Sequence, residues 1–513
     1  GNFIPDASYP MKDIGRIEVT FGPSSSIYGT NALTGVIYVE REPSHPFSAS
    51  MEVGEYEEKG FDVSIYQKNF YGLLHYKDIP GENYKGTPIN PRKDNFGFIL
   101  KGKTLDTPLQ LFYFKNQYNT PYSQRGLPLA SEDKEPYGSK EEVEFFSLGF
   151  KKVLPFERFT LYLQPSFTYF EANTPQVRIP HSAGNFTALD IELENQRFNL
   201  LSYAEIPLKI GQFLVGFDIS QIYHKKYLSK LYNGTESVYS LPKEREFNYA
   251  FFAQYKRLLG KVQLHFGIRY DHFELWGERF SPRLSLTYFL SPEASLQLNY
   301  SEAFNAPPLF YAKANPVLGY GSASGLKPEV LKNYSLNFFY QKLPITLRIT
   351  PFINVLKDKI GYDAVNRVYT NLPKTKTGGL EFESIYKNNS FLAFLNYTYL
   401  AVVDGKDAPN VYKNEYIYGI PKGMLKGGVS FNVPGIPGFS ISPSFKWYSR
   451  AFWRSEKIDS YIIWDLNILY DKARYNLNFK IENLFDKHYK RAGILPPTVW
   501  EGRVIKAGIE VKY

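Results

Sequence analysis

From Phe47 to Tyr513 the chain repeats one pattern, short segments in which every second side chain is apolar. Over residues 262–270, Val262, Leu264, Phe266, Ile268 and Tyr270 fall on one face, and Gln263, His265, Gly267 and Arg269 on the other. Residues 161–169, 296–300, 345–355 and 475–482 read the same way. Successive side chains of a β-strand point to opposite faces, so each segment is a strand with one apolar and one polar side. A helix would place apolar residues at i, i+3 and i+4, and these segments do not.

Alternation alone fits a soluble sandwich as well as a membrane barrel. Length and connection pattern separate the two. Many segments run to roughly ten residues, enough to cross a bilayer at a tilt, whereas ordinary strands average about 5–6. Short connections fall at residues 68–71, 154–157, 207–211, 258–261, 290–293, 342–344, 386–389 and 471–474. Long ones fall between them, at 118–142, 171–190, 225–244, 303–328, 403–417 and 485–502. Short turns at one end and long loops at the other are the mark of an outer-membrane barrel. Counting by that rule gives 22 strands from Ser48 to Tyr513, with each arm flanking 357–367 counted once. The expected fold is therefore all-β, a 22-stranded antiparallel transmembrane barrel, closed so that no sheet edge meets lipid. An even number brings both ends of the barrel to the short-turn, periplasmic side, and a barrel this wide has room for a folded plug.

Composition agrees. Aromatics make up 17% of the chain, with 42 Tyr and 41 Phe, while mean hydropathy is −0.34. A polar lumen face dilutes an apolar lipid face in this way, and no window nears the ~18 apolar residues of a spanning helix. Without Cys there are no disulfides and no thiolate metal sites. The net charge of +9 is spread along the chain, so nucleic acid is not an expected partner. The chain starts Gly1-Asn2 with no signal-peptide pattern, which reads as a fragment or a processed product.

One stretch differs from all the rest. Residues 13–40, DIGRIEVTFGPSSSIYGTNALTGVIYVE, set two apolar runs (17–19 and 36–39) around a turn region holding Gly22-Pro23, Ser24 to Ser26, Gly29 and Gly35. The division expected is residues 1–43 as a compact insert and residues 44–513 as its container. This stretch resembles the end of the plug domain of TonB-dependent outer-membrane receptors. Phe280-Ser-Pro-Arg-Leu-Ser-Leu, Ser301-Glu-Ala-Phe-Asn-Ala-Pro-Pro, Leu326-Lys-Pro-Glu, Thr377-Gly-Gly-Leu-Glu-Phe-Glu, Ile481-Glu-Asn-Leu-Phe-Asp-Lys-His-Tyr and Glu501-Gly-Arg resemble the family's barrel motifs, in the family's order.

The resemblance implies that residues 1–43 are the C-terminal remnant of a plug, with the TonB box outside this sequence. It implies transport of a scarce metal chelate, a ferric siderophore first, driven by the TonB–ExbB–ExbD system from the periplasm, in an outer membrane crossed many times. Cobalamin or another chelate is the alternative cargo, and a passive pore or surface-binding barrel is the alternative class. Haem receptors of the family use a His near the Phe-Asn-Ala-Pro motif, and no His occurs between His272 and His488. The family commonly has Arg where Phe21 stands and Glu where Ser335 stands. One plug–barrel ion pair is thus expected to be missing, with Arg16, Glu18 and Glu381 keeping others.

The residues themselves give no catalytic signature. The seven His are scattered, none at paired metal-ligand spacing, so neither enzymatic activity nor a bound metal or cofactor is expected. Ligand binding is the better-supported chemistry, because long loops on a rigid barrel can bring aromatic and basic side chains over the lumen. The candidates are Tyr122, Arg125, Arg178, His181, Tyr232, Phe310, Tyr311, His488, Tyr489, Arg491 and Trp500. Aromatic faces would pack on a chelate while Arg balances its negative charge.

Overall fold

The structure is a computed structural model. It describes the whole chain except residues 1–9, 31, 34, 80–92, 105–106, 121–138, 181–185, 234, 242, 315–320, 324, 364–365, 406–407, 409–410, 414, 454, 492–497 and 500–501.

Twenty-two antiparallel strands form a closed barrel. Closure is made by the first strand, Phe47–Gly54, pairing with the last, Val504–Lys512, from Ser48↔Lys512 to Gly54↔Lys506. Every spanning strand then has a partner on both edges, which is the condition for a sheet in hydrocarbon. The alternation sorts by face as the sequence implies. On Val262–Phe273, Phe266 and Ile268 are exposed on the outside, while Gly267, Arg269 and Asp271 are buried inside. Phe251, Leu284, Leu286, Leu298 and Leu336 continue the outer apolar band.

Two expectations about loops change. The segments 171–190 and 225–244 are largely strand: Thr160–Pro180 and Phe186–Leu208 pair up to Pro180↔Phe186. Gly211–Asn233 runs on to a return arm, Thr235–Ser240. At 21 to 23 residues each, and about 3.3 Å per residue, these strands far exceed an apolar core about 30 Å thick. Pairing satisfies their backbone groups beyond the membrane, and charged pairs such as Lys226–Glu192 replace the apolar face there. The segment 357–374 also forms its own hairpin, Ile360–Asp363 with Val368–Asn371.

Within the barrel lies a separate two-stranded sheet, β1 (Ile14–Phe21) with β2 (Gly35–Arg41). A single helical turn, α1 (Ser25–Tyr28), joins them by way of residues 29–34. The segment touches opposite walls. Lys12 pairs with Glu510 on the last strand and Tyr71 Oη donates to Asp13 Oδ2 at 3.1 Å, while α1 packs on Val262–Phe273, Gly277–Phe289 and Ala294–Asn305.

The seat of the inner segment and the candidate ligand-binding mouth

α1 rests on a strand edge that has run out of partners. Gly277–Phe289 pairs with Ala294–Asn305 only as far as Arg283↔Ser301. Beyond Ser301 the amides on that edge need other acceptors. The inner segment supplies them: Phe304 N–H donates to Ser25 Oγ at 3.1 Å, and Ala306 N–H to Thr30 Oγ1 at 3.0 Å. Beneath, Phe273, Phe304 and Val330 form a buried apolar cluster, with Phe273 and Phe304 edge to face at 5.6 Å. The turn is held internally by Ser24 N–H to the Ala32 carbonyl at 2.9 Å and Gly29 N–H to the Ser25 carbonyl at 2.9 Å. At the other end of the segment Arg41 donates to the Pro10 and Lys12 carbonyls. A cavity of about 950 Å³ separates Tyr38 of β2 from the wall at Tyr66, Lys101, Gln164 and Tyr203.

Arg16 and Glu18 pair with each other on β1, with side chains 60% and 48% exposed, and not with Glu381. Glu381 stays in the wall between Thr350 and Thr398. Ser335 faces the lumen two residues from Asn333, and Asn333 Oδ1 lies 3.6 Å from where a Cβ at Gly22 would sit. The backbone of Phe21 is therefore near that face; its side chain lies outside the described residues.

At the long-loop end, the motif at 301–308 leads into α2 (Leu309–Ala312). Tyr311 of α2 stacks on Tyr369 of the 360–371 hairpin, ring centroids 3.9 Å apart, and Tyr362 meets Tyr369 edge-on at 5.5 Å. Lys313 ties the same loop to Glu244 at 2.6 Å. Burial pushes both phenols up, Tyr369 to about 12 with help from Tyr311, Tyr227 and Tyr362, so both are neutral hydrogen-bonding groups at physiological pH. Burial lowers Lys359, against a smaller opposite pull from Glu329. Around the rim, Tyr489 stacks on Tyr461 at 4.4 Å, and Tyr412 stacks on Phe452 at 4.8 Å. Lys422 lies 4.2 Å over the Tyr416 ring.

Of the residues the sequence singles out, Tyr311 and Tyr489 are thus found in aromatic stacks, and His488 is exposed beside Tyr489. Arg178 and Tyr232 are on the tall strands, facing Ala188 from either side, and Arg491 pairs with Thr498. The side chains of Arg178, Tyr232, Phe310 and Arg491 are outside the described set, as are Tyr122, Arg125, His181 and Trp500 altogether. The sequence alone does not single out Tyr362, Tyr369, Phe452 or Tyr461. Aromatics recurring beside turn residues were the available signal.

Comparison with known proteins is decisive at the level of family. The profile described as "TonB dependent receptor-like, beta-barrel" matches residues 66–484. The chain belongs to the TonB-dependent receptor family. This receptor is 26% identical to the ferrienterobactin receptor of Escherichia coli K12 over 266 residues, 44% of the chain and 35% of that protein. It is 21% identical to the vitamin B12 transporter BtuB of Vibrio cholerae over 504 residues, 95% of the chain and 78% of that protein. In fold the receptor resembles the siderophore receptor PirA of Acinetobacter baumannii, with a TM-score of 0.76 at 17% identity, covering 97% of the chain and 85% of PirA.

Proposed function

We propose that this receptor imports a scarce metal chelate, a ferric siderophore first, across the outer membrane of a Gram-negative bacterium. Residues 1–43 act as the C-terminal part of its plug and residues 44–513 as the barrel. The relationship to a receptor named for ferric enterobactin carries this reading. The stacked tyrosines at the mouth support it, because flat aromatic faces suit a chelate's planar groups. Capture at the mouth is followed by rearrangement of the plug, pulled through the TonB–ExbB–ExbD system, and passage through the lumen. The receptor performs no catalysis of its own.

A strain lacking its own siderophore receptors and carrying the full-length gene should regain growth under iron limitation with a defined siderophore, and only when TonB is functional. Rescue of cobalamin-dependent growth alone would overturn the iron reading. Cobalamin is the second reading because the likeness to a vitamin B12 transporter extends over nearly the whole chain. Large, steady, TonB-independent conductance by the full-length protein would point instead to a pore.

A further inference from the structure

The turn that follows α1 presses on a buried guanidinium. Arg269, 4% exposed, rises into the lumen from Val262–Phe273. Its Nε donates to both Asp271 oxygens at 2.9 and 3.1 Å, and its Nη2 donates to Asp218 Oδ2 at 3.0 Å. The Phe252 ring closes another side, 5.6 Å from the guanidinium carbon. Charge-assisted bonds to two carboxylates on different strands fix both the plane and the position of the fork.

Gly29 lies directly against this fixed group. Its φ is 72°, and a Cβ built there would lie 2.9 Å from Arg269 Nη2 and 3.2 Å from Cζ. Gly22, on the other side of α1, offers an internal contrast. Its φ is 79°, but a Cβ there would meet nothing closer than Asn333 Oδ1 at 3.6 Å, an ordinary contact. Both positions need a residue that tolerates positive φ. Only Gly29 must also lack a side chain because a barrel charge occupies the space.

A buried ionic cluster stabilises little by itself, since desolvation consumes most of the Coulombic gain; its use is to specify one arrangement. Beside the contact is a polar cavity of about 270 Å³, lined by Thr30, Arg197 and Asn248 among others. Asp218 Oδ1 and Arg197 Nε are buried there without a protein hydrogen-bond partner. The cavity has the room and the polar groups to hold water. Asp218 also sits on Gly211–Asn233, a strand that continues to the mouth. The cluster is thus strung between the plug turn and a wall that reaches the ligand side.

We propose that Arg269, fixed by Asp218 and Asp271, is the barrel half of a latch that closes on the side-chain-free Gly29 turn and holds the plug segment in place across the lumen. This rests on the reading of residues 1–43 as part of a gating plug. Arg269 acts here as a positioning residue and touches no cargo.

The test is ion conductance of the full-length receptor in planar bilayers, without cargo and without TonB, so that closure is read apart from transport. G29A should conduct several-fold more than wild type, while G22A, which carries similar backbone strain without the clash, should stay near wild type. R269A should also leak, and G29A/R269A should leak no more than R269A alone, because the added methyl then meets no guanidinium. Heat-modifiable gel mobility checks that each barrel is closed. If R269A does not fold, D218N takes its place, and the G29A increment should shrink in that background. The latch is overturned if G22A leaks as much as G29A, if G29A keeps its full increment without Arg269, or if no variant leaks. Siderophore uptake is measured separately; lost uptake with the expected leak pattern would count against the proposed function and leave the latch standing.

Discussion

The backbone N–H of Phe304 donates to the Ser25 hydroxyl at 3.1 Å, linking a barrel strand to a turn inside the lumen 279 residues earlier in the chain. Ser25 is fully buried, and Thr30 makes the matching bond to Ala306. Two motifs that look unrelated in sequence, Gly-Pro-Ser-Ser-Ser and Phe-Asn-Ala-Pro, are the two halves of one contact. In S25A the Phe304 amide would be left buried without its acceptor, which costs about 1–3 kcal/mol. The expected outcome is faster proteolytic cleavage within residues 14–41 of the full-length receptor, with the barrel still heat-modifiable. T30A should act in the same direction but less, because Thr30 is only half-buried. Equal protection of S25A and wild type would show that the bond does not seat the inner segment.

How far the sequence could be read follows from what each residue faces. Where one face of a strand meets lipid and the other a polar lumen, as at residues 262–270, alternation reports strand and orientation together. On the tall arms both faces meet water, so Lys226 and Glu192 carry the pairing and the apolar signal disappears. Those arms look like loops until the register is known. The seat of the inner segment is hidden for another reason. Ser25, Thr30 and Gly29 matter because of what lies opposite them, and nothing local in the chain encodes Phe304, Ala306 or Arg269 as neighbours. At the mouth, Tyr311 was legible beside a recognised motif. Its stacking partner Tyr369 was not, because residues 360–371 look like the continuation of a strand.

The outer band should behave as a lipid contact. Phe251 lies midway along Glu244–Leu259 and is 58% exposed on the outside. F251R should destabilise the barrel by about 2–4 kcal/mol, the cost of a charge near the bilayer midplane. Q254K, three residues away on the lumen side, should change stability little. Urea unfolding in lipid vesicles measures both. Equal tolerance at the two positions would contradict the assignment of faces.

The Tyr311–Tyr369 stack predicts both an affinity effect and a pH profile. Removing one ring in Y369A forfeits about 0.5–1.5 kcal/mol of ring-pair energy and loosens the hairpin over α2. The affinity for the proposed chelate cargo should fall by up to about tenfold. Tyr369 is a group whose folded value, about 12, lies above the ordinary 10.0 of tyrosine. Its stabilising contribution is therefore complete below pH 10 and is lost as pH rises through about 12. Ultraviolet phenolate titration should show one fewer late-ionising tyrosine in Y369F than in wild type. An unchanged titration would mean that Tyr369 is not the buried phenol.

Glu58 gives the clearest acid dependence. It lies in the turn before the second barrel strand, outside the spanning segments, and its buried carboxylate bridges Lys506 at 2.9 Å and Lys77 at 3.0 Å. Lys506 belongs to the last strand, so this three-residue cluster fastens the seam where the barrel closes. Burial opposes ionisation of Glu58, but hydrogen bonds and charge from Lys506 and Lys77 outweigh it and hold the carboxyl below its ordinary 4.5. A lowered folded value means that the stabilisation is present above pH 4.5 and is lost as pH falls through the lower folded value. Because Lys77 and Lys506 keep 24% and 18% of their side-chain surface in solvent, the contribution is smaller than that of a fully buried pair. E58Q should lower barrel stability by about 1–2 kcal/mol at neutral pH, less than the about 3–5 kcal/mol of breaking a fully buried pair. The difference from wild type should narrow steadily as the medium is acidified below pH 4.5, because wild-type Glu58 then becomes neutral like the glutamine. Urea denaturation in lipid vesicles at neutral and acid pH reads this directly. A gap between E58Q and wild type that stays constant through the acid range would assign the loss to packing at the seam and not to the ion pair.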